Sequence, residues 1–153
     1  MLPKNFNDLT KQVEPNLIEW RHHFHEFPEL SNREFNTGKY IADYLKSIGL
    51  EVKYPVAKTG VVAILKGAKP GPNIGLRADI DALPVSERAP IPFASKVKAE
   101  YNGQQVSVMH ACGHDAHTAI LMATAKTLKD MQKDLAGTVV FLFQPAEEGA
   151  PNN

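Results

Sequence analysis

The sequence predicts an α/β domain, a sheet with helices on each side, and three observations carry that expectation. Apolar runs at Val61–Leu65, Asn73–Ala78 and Thr138–Phe143 suit strands, and the first two suit strands covered on both faces. Segments with apolar residues at helical spacing lie before and between these runs. Carboxylates follow two of the runs, Asp79 directly and Glu147 after Gln144-Pro145-Ala146, and the carboxyl ends of strands are where open α/β sheets place their sites.

The first element is a helix from about Phe6 to Phe27. Leu9, Val13, Leu17, Trp20 and Phe24 recur at spacings of three and four, Pro15 starts or kinks the helix, and Pro28 ends it. His22, His23, His25 and Glu26 fall in its last turns, and the simpler expectation for them is a solvated face rather than a metal site. A second helix follows Ser31-Asn32-Arg33-Glu34, which reads as a capping box. Phe35, Ile41, Leu45 and Ile48 form its buried face, and Gly49 is its left-handed cap.

Three strands come next, at Leu50–Tyr54, Val61–Leu65 and Asn73–Ala78, with Pro70-Gly71-Pro72 as the turn between the last two. Asp79-Ile80-Asp81 closes the third strand, either as a site or as a turn in which aspartate bonds its own backbone. Pro84 to Gln105 is a long loop of the kind that forms flaps over sites, with a short hairpin near Tyr101–Val108 signalled by Asn102-Gly103. Another helix spans Ala119 to about Met131. The strand Thr138–Phe143 then runs into Gln144-Pro145-Ala146-Glu147-Glu148-Gly149.

Composition bounds the function. The chain has 153 residues, 43% hydrophobic and 22% charged, enough for one domain with a core. A formal net charge of +0 gives no reason to expect nucleic acid or an acidic membrane surface. The single cysteine fits a reducing compartment or a metal role. No signal peptide or membrane-length apolar run is visible, so a cytoplasmic protein is expected.

The chemistry concentrates in His110-Ala111-Cys112-Gly113-His114-Asp115-Ala116-His117, which holds the cysteine, three of the six histidines and a carboxylate. Thiolate, imidazole and carboxylate are the usual ligands of Zn²⁺ and similar ions, and the segment reads as a loop entering a helix. Glu147 and Glu148 form the second constellation. In an extended chain they point to opposite faces, so that one can ligate a metal while the other handles a proton. Taken alone, such a pair is usually solvated charge.

Together these residues resemble the M20 metallopeptidase family in its amidohydrolase branch, which includes hippurate hydrolases, indole-acetyl-amino-acid hydrolases and N-acyl-amino-acid and N-acetyl-diaminopimelate deacylases. The resemblance rests on Arg21, His25 and Pro28-Glu29-Leu30-Ser31, on Glu34 and Thr37, and on Thr59-Gly60-Val61-Val62. It continues through Leu76 to Pro84, Met109 to Thr118, and Phe143-Gln144-Pro145-Ala146-Glu147-Glu148-Gly149.

The resemblance implies a mixed β-sheet flanked by helices, part of a zinc-peptidase-like catalytic domain, with two divalent metal ions at the carboxyl ends of the strands. It implies Cys112, His114 and Glu148 as metal ligands and Glu147 as the general base. Asp81 stands where the family places an aspartate that orients a metal ligand. His110, Asp115 and His117 line the site. The resemblance implies Zn²⁺, Mn²⁺, Co²⁺ or Ni²⁺ as the ions and an N-acyl amino acid as the substrate. Family members are longer, with further histidine ligands and a lid domain that also mediates homodimers. Residues 1–153 therefore read as the N-terminal portion of the catalytic domain, expected to be inactive alone. The rival expectation is a non-catalytic remnant that binds metal or a partner. A zinc-stabilised structural domain is disfavoured, because a closed structural site needs more Cys or His than this chain offers.

Overall fold

A computed structural model describes residues 6–149. Helix α1 runs Phe6–Glu26 with Pro15 inside it, and helix α2 runs Phe35–Ser47. Strands β1 (Glu51–Val56), β2 (Gly60–Lys66) and β3 (Lys69–Asp79) follow. A separate hairpin of β4 (Lys98–Tyr101) and β5 (Gln104–Ser107) precedes helix α3 (His114–Asp130) and strand β6 (Ala136–Gln144). None of these helices is long and apolar enough to cross a membrane.

The main sheet has the order β1-β2-β6-β3. β6 is antiparallel to β2 and parallel to β3, so the sheet is mixed, and the strand that comes last in the described chain lies inside it. Alternation selects the face of β2 and β6 that meets the helices. Val61, Ala63, Leu65, Val139, Phe141 and Phe143 are buried with Trp20, Phe24, Ile41, Leu45 and Met122 in one core. The opposite face carries Val62, Ile64 and Val140, only half-buried, and Leu142, exposed. The expected cover on both faces thus holds on one face among the described residues. β3 departs furthest from expectation, because it lies at the sheet edge and is exposed along most of its length. Pro70-Gly71-Pro72 is not a turn but an irregular stretch of β3, where the register shifts between Lys69 and Asn73. Proline is tolerated there because an edge strand leaves N–H groups unpaired anyway.

The start of α2 also differs from the sequence reading. Neither Ser31 nor Glu34 caps it. The Glu29 carboxylate does so, accepting the N–H groups of Asn36 and Thr37 at 3.2 and 2.8 Å. The other end matches expectation. Gly49 has φ +79°, with Gly49 N–H donating to Lys46 O and Leu50 N–H to Leu45 O, a Schellman closure. The hairpin matches too, with Asn102 and Gly103 both at positive φ between β4 and β5.

Because β3 and β6 are parallel neighbours, their carboxyl ends emerge side by side. The amino end of α3 is tied to the same edge by Thr118 Oγ1 donating to Asp79 O at 3.2 Å. Three segments distant in sequence therefore open onto one place.

Candidate metal centre

Residues 112–114 reach that place by a sharp turn. Gly113, at φ +91°, stands immediately before α3 in a conformation that glycine adopts without a Cβ penalty. Cys112 is left exposed and His114 buried. One thiol, one imidazole nitrogen and one carboxylate oxygen, from Cys112, His114 and Glu148, lie within 4.8 Å of one another.

His114 is fixed by its backbone partner. Its Nδ1 lies 2.9 Å from the carbonyl oxygen of Asp81, an acceptor only, so Nδ1 carries the proton and Nε2 keeps a free lone pair. That lone pair faces Glu147 Oε2 at 3.6 Å and Glu148 Oε1 at 3.9 Å. Extended-chain reasoning expected the two glutamates on opposite faces. They converge because the chain bends after β6, with Ala146 at φ +55° and Gly149 at φ +88°. Glu147 is the more open of the two, its side chain 41% exposed against 20% for Glu148.

Asp81 lies beneath this group, 1% exposed. Its Oδ2 accepts the Ser31 hydroxyl at 2.6 Å and the Glu148 N–H at 2.9 Å. It thus holds both His114, through its own carbonyl, and Glu148, through the backbone. Asp81 Oδ1 and Glu148 Oε1 are buried without a hydrogen-bond partner. The hydrogen bond and charge of Glu148 push the Cys112 thiol up. Two carboxylates, an imidazole lone pair and a thiol thus meet with no cation among the described groups to balance them. That donor set, with one acceptor oxygen orphaned, fits a divalent metal ion.

A second trio, Asp79, His114 and His117, also meets the spacing for a metal. Its carboxylate is already engaged, with Arg77 Nη2 at 2.7 Å from Asp79 Oδ1, and His117 is 55% exposed. His110 is buried, and that burial lowers it to about 4, so it stands neutral near the site.

The expectation of a solvated histidine face on α1 is overturned at His25, which is 4% exposed. Its Nδ1 lies 2.7 Å from Asp115 Oδ2 and its Nε2 2.7 Å from Glu87 Oε2, and Arg21 Nε adds a contact to Asp115 at 3.1 Å. The ring thus bridges two carboxyl groups, one at each nitrogen. The network ties α1, the loop after β3 and the first turn of α3 together beside His114. Helical spacing gave no sign of it, since its partners lie 62 and 90 residues away in sequence.

Metal-type donors thus gather at the carboxyl edge of an open mixed sheet, where such sheets place their sites, and they mark a candidate metal centre. The comparisons agree and narrow the class. Residues 75–153 match the family model of peptidase family M20/M25/M40, and the chain belongs to that family. It is 47% identical over 146 residues to an N-acetyl-L-cysteine deacetylase of Bacillus subtilis, covering 95% of this chain and 32% of that protein. It is 43% identical over 152 residues to an N-acyl-L-amino acid amidohydrolase of Geobacillus stearothermophilus, covering 99% of this chain and 39% of the relative. Among solved structures it is similar to the Bacillus subtilis YXEP protein, described as a dinuclear metal binding peptidase of the M20 family. The TM-score is 0.80 at 47% identity, over 90% of this chain and 36% of the other. The chain spans about a third of the length of the curated relatives it matches.

Proposed function

We propose that these residues form one side of the metal centre of an amidohydrolase that cleaves N-acyl amino acids to a carboxylate and a free amino acid. The observation that carries the reading is the convergence of Cys112, His114 and Glu148 with the orphaned Glu148 Oε1. Those three side chains would hold a divalent ion. Bound there, it supplies Lewis acidity, lowering the pKa of water and polarising the amide carbonyl.

Glu147 is the general base in this reading. It stands beside the cluster, 3.6 Å from His114 Nε2, and is the more exposed glutamate. Its carboxylate takes a proton from the attacking water and returns it to the nitrogen of the leaving amino acid. Asp81 positions the ligands: its carbonyl fixes the His114 tautomer and its carboxylate fixes the Glu148 backbone. The substrate class is supported by the activities named for the deacetylase and amidohydrolase relatives.

Glu147→Gln tests the base. Gln keeps the shape but cannot carry the proton, and general acid–base help is worth about 10²–10⁴-fold. In a form of the protein that releases free amino acid from an N-acetyl or N-benzoyl substrate, we expect kcat to fall by that order with metal content unchanged. Near-normal turnover would remove Glu147 from the mechanism.

A further inference from the structure

Ser31 and Glu34 have the spacing of a helix cap, yet the structure uses both on a different segment. Glu34 is fully buried, at 0% exposure, among the largest enclosed side chains of the molecule. Its Oε2 accepts the Thr59 hydroxyl at 2.6 Å and its Oε1 accepts the Ala146 N–H at 2.9 Å. Burial pushes its carboxyl up, so this enclosure is costly for the charged form. Ser31, through Asp81, reaches the N–H of Glu148 in the same way. The two N–H groups on either side of Glu147 are therefore each held by a buried carboxylate.

The segment so held is strained and tightly enclosed. Ala146 has φ +55°, a left-handed conformation that L-residues other than Asn and Asp rarely adopt unless the surroundings impose it. A Cβ on Gly60 would meet Pro145 Cδ at 2.7 Å, and a Cβ on Gly38 would meet Thr59 O at 2.3 Å. The start of α2, the Thr59-Gly60 turn and Pro145-Ala146 thus form one close-packed stack, with the Glu34 carboxylate at its centre.

We infer that Glu34, anchored by Thr59, is a positioning residue: it sets the left-handed bend at Ala146 that turns Glu147 and Glu148 toward His114. This rests on the roles given to those glutamates under the proposed function. Without the carboxylate, the Ala146 N–H loses its buried acceptor and the bend loses what imposes it. The glutamates then sample the extended arrangement, in which they point apart.

The test uses this chain, with Co²⁺ alone as the probe. Amide exchange is read residue by residue, and Co²⁺ affinity is read from the cobalt–thiolate absorption of Cys112. In Glu34→Leu, the Ala146 amide is expected to exchange at least about tenfold faster while Ala63 and Leu121 move less than about threefold. Co²⁺ affinity is expected to fall at least about fivefold. Glu34→Gln, whose amide oxygen still accepts from Ala146 while its NH₂ faces Thr59, is expected to restore both readouts.

Unchanged exchange at Ala146 in Glu34→Leu overturns the inference, as does a uniform rise across the core or a failure of Gln to rescue. If the Leu variant does not fold, Thr59→Val decides instead. Faster exchange confined to Ala146 supports the inference, and unchanged exchange overturns it. A wild-type chain that takes up no Co²⁺ would count against the proposed metal centre, while the exchange at Ala146 would still decide the role of Glu34.

Discussion

At the scale of single residues, the site turns on groups whose partners leave them one free valence. His114 uses Nδ1 on a backbone carbonyl and keeps Nε2 open, and Glu148 uses its N–H on Asp81 and keeps Oε1 open. Cys112 differs: it is exposed and its thiol is pushed up by Glu148, so a metal bound there would displace a proton. Metal affinity is therefore expected to rise with pH through neutrality, as the proton becomes easier to remove. Cys112→Ser should lower Zn²⁺ or Co²⁺ affinity by at least about tenfold. Its metal-free stability should change by no more than about 0.5 kcal/mol, as befits an exposed position. Metal titration at several pH values, beside thermal melts in chelator, checks both. Unchanged affinity would reduce Cys112 to a small surface residue. That Cys112, His114 and Glu148 carry metal-type donors was legible in the sequence, and the structure brings those donors together. The burial of His25 was not, because a histidine on a helix looks the same whether water or two distant carboxylates receive it.

At the scale of elements, sequence patterns succeeded where the interaction is local and failed where it crosses the fold. Gly49 and the Asn102-Gly103 turn depend on their own φ angles, and both stand as expected. The capping box failed because Glu29 supplied the cap from outside and released Ser31 and Glu34 for longer-range contacts. Pro70-Gly71-Pro72 misled because an edge position accepts prolines that a central strand would reject. Packing also reverses a propensity argument. Gly38 lies inside α2, where Gly→Ala ordinarily favours a helix by about 1 kcal/mol. Here the added methyl would sit 2.3 Å from Thr59 O and 2.8 Å from Tyr54 Cε2. Gly38→Ala is therefore expected to destabilise the chain by about 1–3 kcal/mol, read as a lower denaturant midpoint. A higher midpoint would show that α2 can move away from the Thr59-Gly60 turn.

At the scale of the whole molecule, the proposed centre lies where β3, β6 and α3 share an edge, so metal binding there would be coupled to the fold. An ion that binds the native state at a hundred times its Kd should stabilise it by about 2.7 kcal/mol. That corresponds to roughly 5–10 °C in Tm for a chain of this size. Zn²⁺ or Co²⁺ is expected to raise Tm and a chelator to reverse the rise, and a Tm indifferent to both would contradict the proposed centre. The Cys112 trio supplies three donors, one side of the proposed centre, so residues 1–153 assayed alone are expected to release no amino acid above background. Activity within about tenfold of a relative, a difference of about 1.4 kcal/mol in barrier, would show that these residues suffice.

The bond from Ala146 to Glu34 joins positions 112 residues apart. Closing so long a loop carries an entropic cost that must be met before the contact repays it, and contacts of such range are associated with slow folding. On a ribosome the Cys112 thiol and the His114 ring emerge well before Glu147 and Glu148, and they wait without their carboxylate partners. In the proposed centre the donors would become a set only once β6 lies between β2 and β3, so its assembly would report completion of the sheet.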